Sequence, residues 1–395
     1  MSSSTERSDN TVKDHKQNVP ELRYESFEDD WEEKYLKDVC VINPKTEVPE
    51  IFNYIDLESV NSGILTYAQK IHKNDAPSRA QRKLDKKDIL FATVRPYQQN
   101  NYYFNLDGTY VASTGYAQIK AKENSQYLYY FLHTKQFLNE VMKRCTGTSY
   151  PAINSNDLKT IKIKIPSNNE QEKIASLFSY LDQKIEFMEK KYNNMRLVKK
   201  FFIKLLFDKI KNDKHNVTTL GNISEINMGF TPSTKNLQFW EGNNKWLSIA
   251  DLNDKYVKDT SKKISDEAIK NKKIIKKNTL VMSFKLTLGK LAILSENMFS
   301  NEAICNFKWN RKIDIEYMYY YLNSLRIEKY GTIAAKGVTL NKELLKSIPV
   351  IMPNYEKQQE IGLFLKNIDD KLSLINKEIK LNKEFKRSLL SKMFC

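Results

Sequence analysis

The side chains best placed for chemistry in this sequence are groups that hydrogen-bond nucleic-acid bases and phosphates. Arg95-Pro96-Tyr97-Gln98-Gln99-Asn100 brings together an arginine, an aromatic ring and three carboxamides. A guanidinium grips guanine by two bonds, and Gln or Asn does the same for adenine. Ser113-Thr114-Gly115-Tyr116 and Thr146-Gly147-Thr148-Ser149-Tyr150 are small polar loops with an aromatic. The second half holds Thr231-Pro232-Ser233-Thr234-Lys235, Ser283-Phe284-Lys285-Leu286-Thr287-Leu288-Gly289-Lys290 and Ala335-Lys336-Gly337-Val338-Thr339. Singly, each is an ordinary surface turn; recurrence at matching places in both halves gives them weight. The candidate contacts in the first half are Arg79, Arg82, Arg95, Tyr97, Gln98, Gln99, Asn100, Thr114, Tyr116, Thr148, Ser149 and Tyr150. In the second half they are Thr231, Ser233, Thr234, Lys235, Lys285, Thr287, Lys290, Asn301, Lys336 and Thr339. Trp240 and Trp246 flank Glu241-Gly242-Asn243-Asn244, and core packing is the expectation for both, with base stacking as the alternative.

Catalytic patterns are missing. The 11 glycines include no GxG pair, no Pro-Pro occurs, and no GxxxxGK phosphate loop is present. Cys40, Cys145, Cys305 and Cys395 lie far apart, as do His15, His72, His133 and His215. Neither a disulfide framework nor a metal site follows. Asp85-Lys86-Lys87 has part of a nuclease spacing, which a chain with 28% charged residues produces by chance. The expectation is no catalytic residue, no bound cofactor and no metal.

With 395 residues the chain suffices for two or three domains, and 41% hydrophobic residues make it globular. A formal charge of +16 favours a polyanionic partner, although a lysine-rich composition alone accounts for the excess. The polar start MSSSTERSDNTVKDHKQN is no signal peptide, and no apolar run reaches membrane-spanning length. A soluble cytoplasmic protein is expected.

The elements that must position these loops are written twice. Residues 165–207 align without a gap on 352–394, at an offset of 187. Pro166 matches Pro353, Ile174 matches Ile361, and Asp182 matches Asp369. Lys199 matches Lys386, and Phe207 matches Phe394. Upstream, YLYYFL at 127–132 resembles YMYYYL at 317–322, and LKDV at 36–39 resembles LGNI at 220–223. Such a period marks a duplicated unit.

Ile174, Phe178, Leu181, Ile185, Met188, Tyr192 and Met195 alternate in steps of four and three, which is a heptad seam. The second copy runs Ile361, Leu365, Ile368, Leu372, Ile375, Ile379 and then Asn382. Pro166-Ser167 with Glu170 resembles a capping box, and Pro353-Asn354 with Glu356 is a looser version. Two helices of about 40 residues, each about 60 Å long, are expected. Each narrow stripe needs a partner. The expectation is the other copy within the chain, antiparallel, giving an internal pseudo-twofold axis; a parallel homodimeric coil is the alternative. Lys184, Lys190, Lys191, Lys199 and Lys200 are assigned to the solvated face. The fold class is α+β. Residues 1–19 are a polar tail, 20–165 and 212–350 are globular, and 166–211 and 351–395 are the helical regions.

These residues also carry a family resemblance. Gly229-Phe230-Thr231-Pro232-Ser233, Phe239-Trp240 and Trp246 to Leu252 resemble a target recognition domain of type I restriction–modification specificity subunits. Asn278-Thr279-Leu280, Gly289-Lys290 and Asn301-Glu302-Ala303 continue the likeness. The first half is similar through Asp88-Ile89-Leu90-Phe91, Val94-Arg95-Pro96-Tyr97 and Ser113-Thr114-Gly115. The first half lacks TPS near Asn43-Pro44-Lys45, and Glu302 stands where the family often has Gln.

The resemblance implies two mixed α/β recognition domains, each reading one half of a bipartite, asymmetric double-stranded DNA target. It implies that the helix pair sets the unread gap. It implies two modification subunits that methylate adenine with S-adenosylmethionine, and two restriction subunits driven by ATP with Mg. The rival readings are a free-standing sequence-specific DNA-binding protein and a coiled-coil scaffold.

Overall fold

The computed structural model describes residues 19–211, 217–334 and 337–395. In chain order the framework of the first half is β1 (Glu32–Tyr35), β2 (Cys40–Ile42), β3 (Ile89–Ala92), β4 (Tyr102–Tyr103), β5 (Tyr116–Ala121), α1 (Ser125–Phe131), β6 (Lys162–Ile165) and α2 (Asn168–Lys211). The second half repeats it as β7 (Val217–Thr219), β8 (Ser224–Met228), β9 (Leu280–Ser283), β10 (Leu291–Leu294), β11 (Ile304–Trp309), α3 (Ile315–Ser324), β12 (Pro349–Ile351) and α4 (Tyr355–Lys392).

The chain divides into two compact units. One holds the described residues through Met188 together with Glu378–Cys395; the other is Glu189–Lys377. In the first unit a sheet runs β2-β5-β3-β4, and β1 pairs with β6. In the second, the sheet runs β8-β11-β9-β10 with Tyr256–Val257 at its edge, and β7 pairs with β12. The central strands ILFA (β3) and LVMS (β9) are buried along their whole length, which is why they appear as unbroken apolar runs. Register is equivalent as well. Leu90 stands opposite Gln118, and Val281 opposite Asn306. Cys40 stands opposite Ala121, and Ser224 opposite Trp309.

The stretch 125–145 forms two helices rather than one. Thr134 accepts a bond from the Phe137 amide and starts a new helix, Lys135–Arg144. A hydroxyl at that position competes with helix continuation and favours a cap. A second four-stranded sheet, from Ile51–Ile55, Gln69–His72, Ala80–Lys83 and Tyr110–Ser113, belongs to the first unit alone. The second unit instead has a three-stranded sheet from Asn244–Leu247, Lys262–Ile264 and Phe299–Ser300.

Each unit contains a piece of both long helices. In the first, Phe394 lies 5.4 Å from Tyr127, 5.9 Å from Phe131 and 5.7 Å from Phe178. In the second, Phe207 lies 5.9 Å from Tyr317 and 5.4 Å from Tyr321. The helical segments run in opposite senses within each unit. Phe178 meets Phe394, Asp182 meets Lys386, and Met188 meets Asn382. Lys199 meets Asp369 and Phe202 meets Phe364. Seam positions Ile174 to Met188 and Ile361 to Ile379 are buried. Asn354 caps α4 through the Lys357 amide. Glu170, at the start of α2, gives both carboxylate oxygens to Arg23 at 2.8 Å. Lys199, expected on the solvated face, is half-buried against Asp369.

Candidate nucleic-acid interface

The loop after β3 is built around a left-handed turn. Arg95 has φ +51° and Gln99 also +51°. Pro96 between them fixes the short helical turn Pro96–Gln98. The Arg95 amide donates to the Pro151 carbonyl, and its guanidinium lies 4.2 Å from the centroid of the Tyr150 ring. The predicted loops 95–100 and 146–150 are therefore brought together. Tyr150, Tyr97, Gln98, Thr148 and Ser149 are exposed. Gly147, at φ +87°, turns the second loop.

Two amides of this loop hold the protein to itself. The Gln99 side chain donates to the His133 carbonyl at 3.0 Å, and Asn100 accepts from the Ser62 amide at 3.1 Å. Arg79 is exposed, and its carbonyl accepts from the Thr114 amide, so these two candidates are neighbours. Arg82 is half-buried; its Nε is buried with no hydrogen-bond partner among the described residues, and burial lowers its basicity.

Tyr116 must be corrected. It is fully buried, and its hydroxyl donates to the Asp56 carbonyl at 3.2 Å. The strand it begins, Tyr116–Ala121, is buried on both faces over its first four residues, so the ring lies in the core rather than toward a ligand. The aromatic in that loop therefore carries packing.

In the second unit, Gly229 permits a close chain approach: a Cβ there would stand 2.1 Å from the Ser300 carbonyl oxygen. The neighbouring Thr231 hydroxyl donates to the Glu302 carboxylate. Thr231, Ser233, Thr234 and Lys235 are exposed. The Ser233 carbonyl accepts from the Trp240 indole at 3.3 Å. Trp246 is buried, and its indole donates to the Phe230 carbonyl at 2.9 Å. Trp240 meets it edge-on at 4.9 Å, so both rings pack as the composition of the segment suggested. Asn301 braces a turn, accepting from the Ala303 amide at 3.1 Å. Lys285 and Thr287 are exposed, and Lys290 is half-buried with its amide on the Ser283 hydroxyl. Lys336 lies outside the described residues, as does the side chain of Thr339.

Among the described residues no cluster of three or more His, Cys, Asp or Glu is placed to hold a metal ion. Burial pushes the Cys40 and Cys305 thiols up to about 12, which keeps them protonated and poor nucleophiles. No helix among the described residues is long and apolar enough to cross a membrane. One signal escaped sequence reasoning: Leu286 has φ +65°, which nothing in a Lys-Leu-Thr string announces.

Two copies of one α/β plan, each ending in exposed polar loops and joined in sequence by long helices, define a binding protein with two separate recognition domains. The family model described as type I restriction modification DNA specificity domain matches twice, over residues 28–196 and 212–383. The chain belongs to this family. The HindI specificity subunit of Haemophilus influenzae is 21% identical, with 89% of this chain and 96% of that protein covered. The EcoR124I/EcoR124II specificity subunit of Escherichia coli is 26% identical over 67% of this chain and 70% of its own length. The MjaIX specificity subunit of Methanocaldococcus jannaschii is 27% identical, but that match spans 39% of this chain and 38% of the relative. Among solved structures, the S subunit of a type I restriction–modification system from M. genitalium matches with TM-score 0.61 at 17% identity. That match covers 95% of this chain and 99% of that one. A structure of type I restriction–modification complex assembly matches with TM-score 0.58 at 21% identity, covering 92% and 97%. These likenesses extend the α+β fold with two recognition domains over nearly the whole chain.

Proposed function

We propose that this chain selects a bipartite, asymmetric DNA site for a type I restriction–modification complex and leaves the chemistry to its partners. The observation that carries this is the doubled specificity domain, with different side chains on equivalent loops of the two copies. The first domain, with Arg95, Tyr97, Gln98, Thr148 and Tyr150, reads one half-site. The second, with Thr231, Lys235, Lys285 and Thr287, reads the other. Base-edge contacts specify sequence, and the remaining lysines hold phosphates.

The partners are double-stranded DNA, two modification subunits and two restriction subunits. S-adenosylmethionine belongs to the former and ATP with Mg to the latter, in a cytoplasmic complex. The long helices support protein docking: beyond their buried seams they expose Phe187, Leu197, Phe201, Leu374 and Phe385. Single exposed apolar residues are ordinary, but several on each of the two long helices favour a docking surface. The helices also act as the spacer that sets the unread gap.

The test is to express the chain with its partner subunits and map adenine methylation. One split sequence should be methylated, and deletion of this gene alone should abolish that methylation. An unchanged methylome rejects the proposal, and specific binding by the chain alone without partners favours a free-standing DNA-binding protein. Arg95→Ala should cost about 1–3 kcal/mol in binding and relax one position of the first half-site only.

A further inference from the structure

Leu286 is the most exposed large apolar side chain among the described residues, at 93%. Its φ of +65° is a conformation that disfavours any side chain with a Cβ. Exposure to water and backbone strain thus fall on the same leucine. The loop around it is nevertheless fixed. Ser283, fully buried, donates its hydroxyl to the Thr287 carbonyl at 2.5 Å and accepts from the Lys290 amide at 3.0 Å. The Gly289 amide donates to the Ser283 carbonyl at 2.8 Å, with Gly289 itself at φ +76°. A clamped loop that holds a strained, wet leucine at its tip is built to present that side chain.

The register of the two sheets identifies its counterpart. Leu90 is opposite Gln118 as Val281 is opposite Asn306, so β3 and β9 are equivalent strands. Three residues past Leu90 the Thr93 amide donates to the Gly115 carbonyl. Three residues past Val281 the Phe284 amide makes the matching bond to the Ala303 carbonyl. Two residues further on, the first unit has Arg95 and the second has Leu286. Both are left-handed non-glycine residues.

We infer that Leu286 is a specificity-determining residue of the second recognition domain, contacting the 5-methyl group of a thymine in the major groove. The inference rests on the DNA-reading function proposed above. The chemistry follows from the substitution of one equivalent residue by the other. An arginine at this place suits the acceptor edge of guanine, whereas an aliphatic tip has no hydrogen bond to offer. The one base-edge group in the major groove that an aliphatic tip recognises is the thymine methyl. Exposed Lys285 and Thr287 on either side supply a phosphate contact and a hydroxyl.

The test uses the complex with its modification subunits. Methylation motifs are mapped for the wild type, Leu286→Ala and Leu286→Gly. Both variants should accept another base at one A·T position of the second half-site, with the first half-site and the gap unchanged. In target duplexes, replacing each thymine of the second half-site in turn by deoxyuridine removes only the methyl. At one position this should weaken wild-type binding about four- to ten-fold and leave Leu286→Ala unaffected. Leu286→Gly should also unfold at a higher temperature, because glycine accepts the left-handed backbone, which separates lost recognition from lost structure. Unaltered motifs in both variants, or wild-type binding indifferent to every deoxyuridine, overturns the assignment. Uniform weakening on all sequences also overturns it, since that marks a non-specific contact. A wild-type complex that methylates no split sequence overturns the DNA-reading function itself, a different outcome from the preceding three.

Discussion

Two clusters, one in each unit, use the same residue types in the same geometry, and neither is local in sequence. In the first, Asp182 accepts from the Tyr130 hydroxyl at 2.9 Å and from Lys386 at 2.5 Å, and Lys386 sits 5.2 Å over the Tyr130 ring. In the second, Asp369 accepts from the Tyr320 hydroxyl at 2.5 Å and from Lys199 at 2.5 Å, and Lys199 sits 5.3 Å over the Tyr320 ring. Asp182 and Lys199 lie on one helix but about 25 Å apart along it, too far to pair. Each aspartate instead takes the lysine of the other long helix. The difference between the clusters lies in what surrounds them. The second adds Lys255, whose ammonium reaches the Tyr320 hydroxyl at 2.7 Å and the Glu316 carboxylate. Burial lowers the Lys255 pKa against the pull of Glu316. The helix junction is thus a fixed device, and the domain body adds its own electrostatics to it.

The crossed arrangement is most severely tested at the phenylalanines. Phe207 ends the helix that follows the first globular part, yet it is buried in the second unit; Phe394 is buried in the first. Phe207→Ala should therefore destabilise the second unit by about 3–5 kcal/mol and leave the first protected. Phe394→Ala should do the reverse. Hydrogen exchange resolved by segment decides between them. If Phe207→Ala loosens the strands at 89–92 rather than those at 280–283, the crossed packing is wrong.

A smaller effect distinguishes the two clusters. Asp369→Asn leaves Lys199 and the nearby half-buried Lys255 under-compensated and should cost about 2 kcal/mol. Asp182→Asn, at a more exposed carboxylate, should cost about 1 kcal/mol after solvent screening. Chemical denaturation of the variants measures both. The reversed pair Asp369→Lys with Lys199→Asp should recover part of the loss, whereas Asp369→Lys with Lys386→Asp should recover none. Equal costs at the two sites would mean that Lys255 contributes nothing to the second.

What the residues disclosed in advance, and what they hid, follows the same division. The duplication, the seam from Ile174 to Met188 and the buried strands were legible, because apolar periodicity is a direct trace of burial. The opposed helix sense was expected, with a parallel homodimeric coil as the alternative, and the contacts within each unit run that way. The exchange of Phe207 and Phe394 between units could have been read from the repeat itself, because a residue that far along an opposed helix pair has left its own domain. Loop chemistry was less legible. Arg95 and Tyr150 stack, but Gln99 and Asn100 spend their amides on the His133 carbonyl and the Ser62 amide. Composition cannot show which polar group is already satisfied. Tyr116 failed for a related reason: a strand begins there whose first four residues are all buried, so the ring belongs to the core whichever face it takes. The left-handed angle at Leu286 leaves no mark in composition at all.

The mildest test uses protons. His133 is the only histidine packed into either framework among the described residues, and it lies in the first unit. Its Nδ1 is 2.8 Å from the Tyr129 carbonyl, its ring lies 4.5 Å from that of Tyr129, and Lys386 and Asp182 both act on it. Burial dominates and pushes its pKa down to about 4 from an ordinary 6.5. The folded first unit thus holds the imidazole neutral, whereas the unfolded chain protonates it. That contribution is complete above pH 6.5 and is lost progressively as pH falls toward about 4, because the unfolded state then binds the extra proton. The slope cannot exceed about 1.4 kcal/mol per pH unit for one group. His133→Gln should flatten it. The difference between wild type and variant, taken from pH 6.5 down to about 5, excludes most carboxylate titration. Hydrogen exchange should place that difference in the first unit. The second unit, with no histidine among its described residues, should be flat over the same range. An equal slope in both units would show that the acid response does not belong to this imidazole.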